Sequence, residues 1–159
     1  MHLKLPPPSF RLLPLALCAA ALLLCGCGGK KPTKEQAITQ YSRELHDAVA
    51  DQVRDEGRRV QMLALVDRLE SLQLRFAQDT EALVASYRKL DADYGASRAA
   101  FEQLFADYNA TRIRARGEAL DLHFQLAALA TEEEWRPIAR AESHLYEAVS
   151  TARAADEPR

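Results

Sequence analysis

Over residues 33–153 the sequence contains a single proline, Pro137, and only three glycines, Gly57, Gly95 and Gly117. Sandwiches, barrels and alternating α/β folds need a turn about every ten residues, and turns are built largely from these two residue types. A stretch this poor in turn residues cannot supply the connections that those folds require. The sequence therefore predicts an all-α fold.

The segment 1–26 has the layout of a secretory signal peptide. Lys4 and Arg11 make its start basic, and an uncharged run rich in leucine and alanine follows over 12–24. About 20 apolar residues are needed to cross the hydrocarbon core of a bilayer, so this shorter run does not predict a permanent span. We expect residues 1–26 to be removed.

The uncharged run ends in Leu24-Cys25-Gly26-Cys27. This segment resembles the lipobox of bacterial lipoproteins, which has a leucine three positions before the lipidated cysteine and a small residue directly before it. The resemblance implies cleavage before Cys27, a diacylglycerol on its sulfur and an acyl chain such as palmitate on its new amine. Cys25 is the alternative site, but Leu24 would then precede the cut, where this family has a small side chain.

The lipoprotein resemblance also implies a location. Two or three acyl chains anchor a protein stably to a membrane, and residues 27–33 join the lipidated Cys27 to the body through a glycine- and lysine-rich linker. Gly28 stands where an aspartate is the usual signal for inner-membrane retention in Gram-negative bacteria. We therefore expect the periplasmic face of the outer membrane, with the periplasmic face of the inner membrane as the alternative.

Four amphipathic segments form a predicted helical domain at 34–155. In each of them apolar residues recur every three or four positions, which is the period of an α-helix. Thr33 begins a capping box at the first helix, and Thr131 followed by three glutamates marks the start of the fourth. Because Pro137 lacks an amide hydrogen, we expect the fourth helix to kink there or to begin near Glu134.

Two turns divide the middle of this domain. A charged run around Gly57 predicts the first turn, and Gly95 followed by Ser97 predicts the second. The expected architecture is an antiparallel hairpin of two long central helices, completed to a four-helix bundle by two shorter ones. The apolar stripes on the two sides of Gly95 are in phase, so a long coiled-coil rod is the alternative. Ala115 and Ala119 lie in a stripe of the third helix with a coiled-coil period, where small residues allow a partner helix to approach closely.

The composition and motifs argue against several functions. Of 21 Lys and Arg residues two lie in the signal peptide, which leaves 19 against 23 Asp and Glu, so no basic excess favours nucleic acid. Past Cys27 there is no cysteine, and His46, His123 and His144 are spaced too far apart to share a helical metal site. The body also lacks a glycine-rich phosphate loop and a nucleophile elbow. We expect no enzymatic activity, no cofactor and no metal.

The segment 129–135, Leu-Ala-Thr-Glu-Glu-Glu-Trp, resembles the Leu-Thr-x-x-Gln stretches of the Spy and CpxP family. These are small all-helical periplasmic proteins that include stress chaperones and regulators. The resemblance marks Thr131, Glu134 and Trp135 as an interaction or structural motif, although an alanine separates Leu and Thr here and Glu134 replaces the glutamine. Read from its position alone, Trp135 is an apolar anchor at the base of the bundle.

Two functions remain after these exclusions. The first is a membrane-anchored lipoprotein whose helical body binds an envelope protein, as a chaperone-like or envelope-stress module. The second is a structural coiled-coil homo-oligomer of the cell envelope, with a homodimer as its simplest form.

Overall fold

The computed structural model describes residues 32–155, with side chains described through Ala148. The described residues form four α-helices and no strand, which confirms the all-α prediction. The helices are α1 (Lys34–Gln52), α2 (Glu56–Asp91), α3 (Arg98–Leu129) and α4 (Glu132–Ala155). α1 packs against α2 and α4, and α2 packs against α3.

The signal peptide predicted at 1–26 and the lipidation site Cys27 lie outside the described residues, as do Leu24, Cys25 and Gly26 of the lipobox. Within the described part of the chain, no helix combines the length and the apolar run needed to span a membrane. The described residues belong to one compact unit.

Side-chain caps determine where the helices begin. The Thr33 hydroxyl accepts a hydrogen bond from the amide of Gln36, whose side chain in turn accepts one from the amide of Thr33. Asp55 caps α2 and Ser97 caps α3 by accepting from amides three residues further on, at 2.8 Å and 3.3 Å. Each cap satisfies an amide that has no partner inside its own helix. The caps predicted at Thr33 and Ser97 are confirmed.

The first turn lies earlier than the sequence predicted. α1 ends at Gln52, and the next residue, Val53, is buried with an extended backbone. α2 then begins at Glu56, directly after its cap Asp55. The predicted break between the first two helices is therefore present, but it lies at 53–55, and Gly57 is in the first turn of α2. A buried apolar side chain followed by a capping carboxylate breaks the helix here without help from a glycine.

The second turn reverses the chain between α2 and α3. The Asp93 side chain accepts a hydrogen bond from the amide of Gly95 at 2.9 Å, and the amide of Ala96 donates to the Asp93 carbonyl at 2.9 Å. The two helices then run antiparallel, with the Thr80 hydroxyl 3.3 Å from the hydroxyl of Tyr108. The hairpin prediction is thus correct, and the alternative of one continuous rod is wrong.

α4 begins at Glu132, directly after its cap Thr131, so the start that Thr131 and the three glutamates predicted is correct and the alternative start near Glu134 is wrong. The amide of Trp135 donates to the carbonyl of Thr131 at 2.9 Å, which closes the first turn of the helix. Pro137 lies inside α4 and withholds one amide from the Glu133 carbonyl. The helix tolerates this loss because the next side chain, Ile138, is fully buried in the core.

The hydrophobic core fills one end of the bundle, which we call the base. Its largest fully buried apolar members come from all four helices: Ile38, Leu45, Met62, Leu69, Leu122, Leu126, Ile138 and Leu145. Of the described residues, none between 78 and 121 is buried. Past its last buried residue, Ala77, α2 continues for 14 residues, which is about 20 Å at a rise of 1.5 Å per residue. This part of α2, with the turn and the first half of α3 that packs beside it, forms a two-helix tip.

Candidate functional site

Thr131 and Glu134, two of the three motif residues predicted from the sequence, form a second capping box. The Thr131 hydroxyl accepts from the amide of Glu134 at 3.3 Å. In return, the amide of Thr131 donates to Oε2 of Glu134 at 2.8 Å. Both side chains are therefore occupied in starting α4, which favours a structural role for this pair.

Arg58 of α2 binds the same carboxylate from a distant part of the chain. Its guanidinium donates to both oxygens of Glu134, at 2.6 Å and 3.0 Å, and also to the carbonyl of Leu129 at 2.9 Å. The hydrogen bonds from Arg58 and Thr131 lower the pKa of Glu134 to about 2. Arg58 thus ties the start of α2 to the turn between α3 and α4.

The third motif residue, Trp135, is half-buried and packs against the core. Its ring lies edge-on to His123, with 5.3 Å between the ring centroids and 71° between the planes. Trp135 therefore joins α4 to α3 at the base and keeps part of its ring in water. Its contacts are those of a packing residue, with His123 as its aromatic neighbour.

A buried carboxylate lies next to this aromatic pair. Glu142 is only 2% exposed, and its Oε2 lies 2.8 Å from Nδ1 of His123. The Tyr146 hydroxyl donates to Oε1 of the same carboxylate at 3.5 Å. Burial, together with the nearby charge of Glu142, raises the pKa of the Tyr146 phenol above its usual range. Glu142 is thus held by polar groups from α3 and from its own helix.

The three histidines of the described chain all pair with carboxylates of a neighbouring helix. Each pair has a nitrogen–oxygen distance of 2.8 Å: His46 with Asp67, His123 with Glu142 and His144 with Glu44. These pairs join α1 to α2, α3 to α4 and α4 to α1. Over the residues that the structure describes, no three His, Cys, Asp or Glu side chains cluster in a way that could hold a metal ion.

Aromatic side chains line the tip between the two long helices. The Tyr87 ring lies 5.8 Å from Phe101 and 6.1 Å from Phe105, measured between centroids. Tyr87 and Phe105 are nevertheless exposed, and Tyr94 in the turn is fully exposed. The two-helix tip therefore leaves a large part of these three rings in water, where they are available to a binding partner.

α3 carries a second apolar surface, which we call the outer stripe. It consists of eight positions that are all exposed: Ala99, Gln103, Ala106, Ala110, Ile113, Gly117, Leu120 and Phe124. Its large members are strongly exposed, at 68% for Ile113 and 65% for Phe124. Ala115 and Ala119, where the sequence suggested close approach of a partner helix, face the other way and pack against the core of this chain.

The sequence reasoning missed both Arg58 and the outer stripe. No local pattern links Arg58 to a carboxylate 76 positions away, so the ion pair could not be foreseen. The outer stripe did have a signal, because its residues follow one another at alternating steps of four and three. The core-facing side of α3 carries an apolar series with the same spacing, and the sequence reasoning identified only that one.

Comparisons of this chain with family models, with curated proteins and with solved structures found no match. The lipobox and the likeness to the Spy and CpxP family therefore rest on the residues quoted for them.

Proposed function

We propose that this protein is a lipid-anchored lipoprotein of the bacterial envelope that binds other envelope proteins and catalyses no reaction. The observation that carries the proposal is the tip, where aromatic side chains extend beyond a well-packed base and stay accessible. A chaperone-like or envelope-stress role is the form of binding that the sequence resemblance favours.

The division into base and tip supports a binding role. The base holds the large fully buried side chains of all four helices, and a histidine–carboxylate pair crosses each of three helix–helix contacts there, so the base is the packed part of the molecule that supports the tip. The tip has no buried residue, and its tyrosines combine a large apolar ring with a polar hydroxyl. Tyrosine is enriched among the residues that dominate binding energy at protein interfaces.

The lipid anchor is supported by the sequence Leu24-Cys25-Gly26-Cys27. We expect a fatty-acid analogue to label the wild-type protein and the Cys25→Ser variant, but not Cys27→Ser. Equal labelling of Cys27→Ser would contradict the assignment, and loss of labelling in Cys25→Ser alone would move the site. Separation of the two membranes then tests the outer membrane against the inner membrane.

Site-specific crosslinking tests the tip. A photoactivatable residue in place of Tyr94 should capture an envelope protein in living cells. The matched control is the same residue in place of Gln40, which is also exposed but lies on α1 in the base. Absence of any adduct at Tyr94, or identical adducts at both positions, would contradict a binding role for the tip.

The structural homo-oligomer remains the second candidate, and the outer stripe of α3 is the observation that favours it. In this form the contact between copies cannot use the seam that contains Ala115 and Ala119, because that seam already packs against the core of its own chain. A self-associating protein of this fold would have to use a different face.

A further inference from the structure

The outer stripe has the spacing of a coiled-coil seam. From Ala99 to Phe124 its eight positions follow one another at steps of four and three in strict alternation, which is the seven-residue repeat of a coiled coil. One such seam is enough for a helix whose contacts within its own chain all lie on one side. α3 has two, one against α2 and the core, and one in water. The second seam is the kind of surface that another helix covers.

Gly117 gives an independent indication of close approach. Glycine in the middle of a helix is unfavourable, because the chain loses more conformational freedom there than it does with alanine. A Cβ atom added at Gly117 would meet nothing within 4 Å, so the fold of the single chain does not require a glycine. A partner backbone lying close to this position would require one.

We infer that the outer stripe binds the outer stripe of a second copy of this chain, antiparallel, in a symmetric dimer. The two-fold axis lies between the two α3 helices, at the level midway between residues 111 and 112. In this register Ile113 faces Ala110 of the second copy, and Gly117 faces Ala106 of the second copy. Likewise Leu120 meets Gln103, and Phe124 meets Ala99. Each large apolar side chain thus lies opposite a small or flexible one, which permits close packing.

The charges beside the stripe select this register. Asp107 and Arg114 flank the stripe on the same side of α3. In the antiparallel dimer, Asp107 of each copy faces Arg114 of the other copy. Two symmetric ion pairs result. A shift by one heptad would place Arg114 against Arg114, or Asp107 against Asp107. A parallel arrangement would place Glu102 against Asp107, and this repulsion offsets the attraction that it gains between Arg116 and Asp121. Among the antiparallel registers, only the one given above pairs Asp107 with Arg114.

Both side chains are available for such pairs. The hydrogen bonds they make within one chain are short-range contacts on α3 itself, from Gln103 to Asp107 at 2.9 Å and from Arg114 to Thr111 at 3.2 Å. Their positions are exposed, so pairing across the dimer requires only a change of rotamer.

The dimer is also compatible with two tethers. His46 pairs with Asp67, so the start of antiparallel α1 lies level with about residue 79 of α2. That level is the one at which Thr80 meets Tyr108 of α3, close to the inferred axis. In both copies α1 therefore begins level with the middle of the dimer. This agreement rests on the proposed lipid anchor, whereas the dimer contact itself does not.

Sedimentation equilibrium of the compact unit Pro32–Arg159 tests the proposal with charge reversals. The unmodified unit should dimerise, and Asp107→Arg and Arg114→Asp should each raise the dissociation constant about tenfold, since each replaces two attractive pairs by two repulsive ones. The double variant should return it to near the original value. Glu81→Arg, a charge reversal at an exposed site of α2, serves as the control and should leave it unchanged.

Several outcomes would overturn the inference. These are a monomer at about 100 μM, a dissociation constant insensitive to both reversals, or a double variant as weak as the single ones. In cells, a crosslinker in place of Ile113 on the full chain should yield a self-adduct, and an adduct with another protein instead would assign the stripe to that partner. Failure of lipid labelling would leave the sedimentation result intact, so the two proposals fail separately.

Discussion

Replacing Gly117 by alanine should raise the free energy of unfolding of the single chain by about 0.5–1 kcal/mol. Gly117 lies well inside α3, where glycine loses more backbone entropy on folding than alanine does. The added methyl group meets no atom within 4 Å, so no steric term offsets the gain. It also buries no apolar area in the single chain, which leaves backbone entropy as the only sizeable contribution.

The measurement is urea unfolding followed by circular dichroism, at a protein concentration low enough to keep the chain monomeric. A gain of this size corresponds to a rise in the melting temperature of about 2–4 °C for a chain of this length. Gly57→Ala is the matched control: that glycine lies in the first turn of α2, where frayed ends reduce the benefit, and a Cβ there would contact only Asp55 Oδ1 at 3.5 Å. The control should gain less than Gly117→Ala.

A Gly117→Ala variant that is no more stable than the wild type at low concentration would refute this reasoning. It would mean that the helix around Gly117 is constrained by something other than backbone entropy. A gain at low concentration that shrinks as the concentration rises would instead fit a glycine retained for contact with a second copy.

Three further predictions concern the base. Trp135→Ala should lower the free energy of unfolding by about 2 kcal/mol, less than for a fully buried tryptophan, and Thr131→Ala should lower it by about 1 kcal/mol through the lost cap. Urea unfolding measures both, and the reverse order would contradict the assigned roles. Because the folded-state pKa of Glu134 is lowered to about 2, its contribution to stability is present above its unfolded pKa near 4.5 and is lost as the pH falls toward 2. Unfolding midpoints at several pH values should therefore fall less steeply for Glu134→Gln, and an unchanged slope would count against this. His123→Ala should lower the free energy of unfolding by about 1–3 kcal/mol, because it leaves the buried Glu142 carboxylate with only the long hydrogen bond from Tyr146. The same change should cost clearly less in a Glu142→Leu background. Equal costs in the two backgrounds of this double-mutant cycle would exclude the coupling.

The parts of the fold that the sequence predicted are those decided within a few residues. Thr33, Ser97 and Thr131 cap helices through bonds that reach three positions along the chain, so the helix starts could be predicted. The end of α1 could not be predicted in this way, because it depends on Val53 reaching the core. The nearby Gly57 suggested a turn a few residues further along the chain.

The candidate site was less predictable for the same physical reason. Glu134 was selected for its place in a local motif, but its main partner, Arg58, comes from another helix and is fixed only by the packing. The outer stripe depends on knowing which face of α3 meets α2. Both apolar series of α3 have the same spacing, so only the packing of the chain shows which one is buried and which one is exposed.

The unequal distribution of buried residues implies that different parts of this molecule open at different rates. Backbone amides of Leu69 and Leu122 lie in the packed base and should exchange with deuterium only when the whole unit unfolds. Amides near Tyr87 and Phe105 lie where no side chain is buried, so they can exchange through local fraying of the hairpin. The protein therefore combines a base whose amides exchange only on global unfolding with a tip whose amides exchange through local opening.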